Sequence, residues 1–65
     1  MDKGEWVVKS RVIDGRRMFR ACRKLDRTKP GDDDNLEFHG EYSPDWSAVN
    51  ALVHILRLEA LRDEG

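Results

Sequence analysis

The dipeptide Asp14-Gly15, set between two runs of strand-forming residues, constrains this chain more than any other feature of its sequence. A two-residue hairpin loop of type I′ needs positive φ at both central positions, and Asp-Gly supplies it with little strain. Before the turn, residues 5–13 are rich in β-branched and aromatic side chains; after it, residues 16–25 read as the returning strand. The turn fixes a register in which Ile13 faces Arg16 and Val12 faces Arg17, and a fixed register sorts the side chains into two faces. One face holds Trp6, Val8, Ser10, Val12, Phe19, Ala21 and Leu25, with Arg17 and Arg23 reaching out past its edge on their long stems. The other holds Val7, Lys9, Arg11, Ile13, Arg16, Met18, Arg20, Cys22 and Lys24. The first is the better core.

Further along, Lys29-Pro30-Gly31-Asp32-Asp33-Asp34-Asn35 is a loop by composition, with a proline, a glycine and mutually repelling acids. Residues 36–42 alternate cleanly: Leu36, Phe38 and Tyr42 fall on one side, Glu37, His39 and Glu41 on the other. Their apolar side is expected to join the core face. Ser43-Pro44-Asp45 has the form of a helix start, with serine as cap and proline at the first helical position. The helix is expected over residues 44–62, presenting Trp46, Val49, Leu52, Val53, Leu56 and Ala60 as one stripe at helical spacing.

These elements make an α+β fold of two layers: a three-stranded antiparallel meander packed against one C-terminal helix, βββα. Residues 1–65 suffice for a single small domain and no more. Two strand orders fit the pattern. In one, strand three lies beside strand two, with Glu37, His39 and Glu41 across from Lys24, Cys22 and Arg20; in the other it lies beside strand one, next to Lys9 and Arg11.

Cys22 is the only cysteine, so the chain holds no internal disulfide, and a lone thiol suits a reducing compartment. The first residues carry mixed charge without a following apolar core, unlike a signal peptide. No apolar run approaches the roughly 20 residues needed to span a bilayer. A cytoplasmic protein with no membrane association is expected. Net charge is −1, but the stretch from Lys9 to Lys29 is strongly basic and acids dominate after Asp32. Such asymmetry can build a basic face on a nearly neutral chain.

Two surfaces are candidates for function. The helix flank beyond the core stripe carries Ile55, Leu58 and Leu61, with Ala48 and Ala51, a wider apolar arc than three short strands can cover. Self-association as a homodimer is the leading expectation, since two-fold dimers are the commonest oligomers and the core is small. The alternative is nucleic-acid binding by the open sheet face through Lys9, Arg11, Arg16 and Arg20. Against it stands a charge ladder with the acids of strand three, which would neutralise about half of the patch; that ladder is the preferred reading of the face. Catalysis is not expected. His39 and His54 have no metal-ligand spacing, and no cofactor or metal is implied. Cys22 and His39 on neighbouring strands would lack a pocket and an orienting third group. The run Asp32-Asp33-Asp34-Asn35 lacks the spacing of a calcium loop.

The segment from Trp6 to Phe19, together with Phe38-His39-Gly40-Glu41-Tyr42, resembles small uncharacterised proteins of clostridial gut bacteria. That resemblance implies a bacterial chain and brings no activity with it. In architecture alone the chain is similar to the arm-type DNA-binding domains of integrases and to plant ethylene-response DNA-binding domains. Those place three strands before a helix and read DNA with the sheet; no residue of theirs is carried over. The sequence therefore leads to a small non-enzymatic binding module of unknown function that self-associates, with nucleic-acid binding as the alternative.

Overall fold

Asp14 and Gly15 have φ of 52° and 77°, the left-handed values that the hairpin turn demands. In this computed structural model, which describes residues 2–64, they join β1 (Val7–Ile13) to β2 (Arg16–Lys24). Ile13 pairs with Arg16 and the register runs unbroken to Val7 opposite Cys22. A loop with a short 3-10 turn at Asp33–Asn35 leads to β3 (Leu36–Ser43), and α1 (Trp46–Glu64) follows. The sheet is antiparallel with order β1-β2-β3, so β3 lies beside β2, and the helix forms the second layer of the α+β fold.

The core is small. Trp6, Ala21, Val49, Val53 and Leu56 are buried together, with Val8, Phe19 and Leu52 packed at the margin. The helix lies chiefly over β1 and β2. This coverage explains where the apolar residues of β3 go. Ala21, in the core, pairs with His39, and Arg23 pairs with Glu37, so these two polar residues of β3 face the helix side. His39 sets its ring edge-on to Trp6 at 6.0 Å between centroids. Glu37 accepts three forked bonds from Nε and one terminal nitrogen of Arg23, at 3.0 to 3.2 Å. Because the helix leaves this side of β3 largely open, it needs no apolar side chains there. Leu36 and Phe38 consequently sit on the outer face opposite Lys24 and Cys22, not in the core as the alternation suggests.

The pairing also breaks once. Phe19 faces Ser43 and Ala21 faces His39, so Arg20 alone stands against Gly40, Glu41 and Tyr42. Such an irregularity needs a residue free to adopt positive φ, and Gly40 has φ of 76°. Tyr42 comes out on the side of Arg20, away from the core.

Three further expectations are corrected. Leu25 lies beyond the end of β2 and is exposed. Trp46 is 51% exposed: only two residues separate β3 from the helix, so its first turn remains beside the edge strand and the buried stripe begins at Val49. The cap is Asp45 rather than Ser43. Its Oδ1 accepts the Ala48 amide at 3.3 Å and its carbonyl accepts the Val49 amide at 3.3 Å, while Ser43 Oγ accepts the Asp45 amide. Pro44 therefore precedes the helix instead of opening it.

The 25–35 loop is organised by one residue. Asn35 accepts the Asp26 amide at Oδ1, and its Nδ2 donates to the carbonyls of Asp26 and Pro30, each bond 2.9 Å long. No helix among the described residues is long and apolar enough to cross a membrane.

Candidate nucleic-acid interface

The outer face is built by alternation along β1 and β2. Lys9 pairs directly with Arg20, Arg11 with Met18 and Ile13 with Arg16, while Val7, Cys22 and Phe38 form a row across the three strands. All four basic residues expected on this face, Lys9, Arg11, Arg16 and Arg20, stand on it, and Lys24 joins them. Two of the three residues expected opposite them, Glu37 and His39, do not. Glu37 faces Arg23 and His39 faces Ala21 on the opposite side of the sheet. Glu37 instead forms ion pairs with Arg23 and Lys3 there. On the outer side Asp33, exposed in the loop, lies 4.0 Å from Lys9 Nζ.

What takes the place of the acids is aromatic. The Arg20 guanidinium lies 4.5 Å from the Phe38 ring centre and 5.4 Å from that of Tyr42. Its Nε donates to the Gly40 carbonyl at 2.7 Å. Two rings and one short bond fix the plane of the guanidinium, and its terminal nitrogens form no other hydrogen bond among the described residues. Lys9 Nζ stands 5.8 Å from the same Phe38 ring. Together with Arg11 and Asp33 these residues line a shallow cleft of about 380 Å³. Cations held against rings lose less entropy on meeting a phosphate than cations on free stems.

Cys22 lies at the middle of this face yet is buried beneath its neighbours. Burial pushes its thiol up, against the smaller opposing effect of Lys9 and Arg20. His39 is on the other side of the sheet, so the two groups do not meet. Among the described residues no three His, Cys, Asp or Glu side chains come together as a metal site.

The helix flank is as open as its sequence suggests. Ile55, Leu58 and Leu61 are 52%, 63% and 65% exposed. Comparison with protein-family models, with curated proteins and with solved structures returns no match. Phe38 and Tyr42 are the site residues that sequence reasoning assigned elsewhere. Gly40, inside an otherwise strand-forming run, was the available signal, because a strand-interior glycine often marks a bulge.

Proposed function

We propose that the protein is a nucleic-acid-binding module that lays the outer face of its sheet against a duplex. The observation that carries this reading is the arrangement around Arg20: a basic face from which Glu37 is turned away to the opposite side, with its central guanidinium fixed between Phe38 and Tyr42. Lys9, Arg11, Arg16 and Lys24 neutralise phosphates, and Arg20 presents its terminal nitrogens as a planar donor pair suited to a phosphate or a purine edge. Duplex is favoured over single strand because the guanidinium already occupies one face of each ring, leaving less ring surface for bases to stack on. A labelled-duplex titration tests this. Binding that weakens steeply between low and moderate salt is expected, with Arg20→Gln lowering affinity about tenfold, the scale of one charge-assisted bond. Absence of binding at low salt would contradict it.

The exposed row Ile55, Leu58 and Leu61 favours a second reading, a two-fold dimer formed through the helix flank. It is compatible with the first, since a contact through the helix flank leaves the outer face of each sheet open. Leu58→Glu is then expected to halve the mass seen by light scattering while leaving the helical signal intact. Identical masses for the variant and the parent chain would remove this reading.

A further inference from the structure

On the helix side of the sheet, at the end away from the hairpin turn, lies a second cleft of about 340 Å³. Four cations from four separate segments line it: Lys3 of the N-terminal arm, Arg23 at the end of β2, Arg27 of the following loop and Arg57 of the helix. Glu5 is the one acid in its wall. Two more acids adjoin it: Glu37 pairs with Arg23 and Lys3, and Asp2 pairs with Arg27 at 3.2 Å. Four positive charges thus meet three negative ones, a net of about +1. Arg57 has no carboxylate within ion-pair distance among the described residues. Its Nε donates to the Trp6 carbonyl at 2.7 Å, which holds the guanidinium in place and leaves both terminal nitrogens to serve the cleft. Arg23 is held equally well, its Nε and one terminal nitrogen on Glu37 and its plane 4.6 Å from the Trp6 ring.

We infer that this cleft is an anion site for a small phosphate-bearing ligand. Donors that converge from separate segments match a tetrahedral group, whose oxygens point in several directions, better than a flat carboxylate. Fixed guanidiniums favour it further, because little side-chain freedom is lost on binding. The site is separate from the basic outer face: Arg23 pairs with Glu37 on the helix side of the sheet, whereas Lys9 and Arg20 stand on the other.

Pyrophosphate is a suitable probe, and Trp6 a suitable reporter. Trp46→Phe removes the exposed indole at the far end of the helix and leaves Trp6, at the cleft, as the only tryptophan. Titrating this variant with pyrophosphate at constant ionic strength is expected to give a saturable change in Trp6 emission, whereas chloride gives none. Arg57→Gln is expected to weaken the response about tenfold or more. Arg27→Gln, at an exposed position that tests the cleft without touching the Trp6 anchor, is expected to weaken it severalfold. Arg20→Gln is expected to leave it unchanged, which keeps the result distinct from the fate of the duplex-binding reading. No saturable response, an affinity unchanged from the parent in both cleft variants, or a loss with Arg20→Gln would overturn the inference.

Discussion

Single residues settle several features that pattern alone leaves open. Asp45 is one: by accepting the Ala48 amide it satisfies a donor that the helix itself cannot. Asp45→Ala is expected to cost about 1 kcal/mol, which in so small a chain lowers the melting temperature by about 4–8 °C; calorimetry reads it directly. Glu37 is another. The forked bond from Arg23 holds its carboxyl below the ordinary glutamate value, with the charges of Arg23 and Lys3 assisting against partial burial. A carboxyl depressed in the folded state contributes stability above its unfolded value, and that contribution disappears as pH falls through the folded value. Asp26, held down by the hydroxyl and amide of Thr28, acts in the same direction. Denaturant midpoints measured from neutral pH downward should therefore fall through the acid range. Glu37→Gln should give a shallower fall, and an equally steep one would show that the pair carries no linkage. At Cys22, burial raises the thiol, so labelling near neutral pH should be slower than for a model peptide thiol.

At the level of elements, the hairpin was legible because Asp14-Gly15 admits few backbone geometries, and the turn then dictates every pair of the β1–β2 ladder. The helix was legible from its stripe, although Trp46 on the first turn stands outside the buried part. β3 was legible as a strand but not in its phase. Alternation divides Leu36 and Phe38 from Glu37 and His39 without saying which set turns inward, and the usual preference for apolar residues inside fails where no helix covers the sheet. The candidate site depended on that phase. Its four basic positions followed from the turn, whereas its aromatic half depended on a register and a bulge that only the folded chain displays. Gly40, at φ of 76°, is the hinge of that bulge. Gly40→Ala meets open space but retains the left-handed backbone, a strain of about 1–2 kcal/mol. The variant should be less stable by that amount in denaturant titrations. It should also bind duplex more weakly, since the Gly40 carbonyl positions Arg20.

The whole molecule is thin, with principal extents of 40 × 24 × 13 Å and a core of a few side chains beneath one helix. Its two broad sides differ in chemistry. The helix side offers an apolar row at Ile55, Leu58 and Leu61, and the sheet side offers cations set among rings. A net charge of −1 conceals this division, because acids in β3 and the loops offset bases that share one face. If this face meets phosphate, counterion release gives the contact a quantitative signature. The most direct measurement compares the salt dependence of duplex affinity for the parent chain and for a variant carrying Lys9→Gln, Arg11→Gln and Arg20→Gln. If the three side chains contact phosphates, the slope of log affinity against log salt becomes shallower by about 2.7 and affinity falls at every salt concentration. Equal slopes and equal affinities for the two proteins would show that the outer face is not where nucleic acid binds.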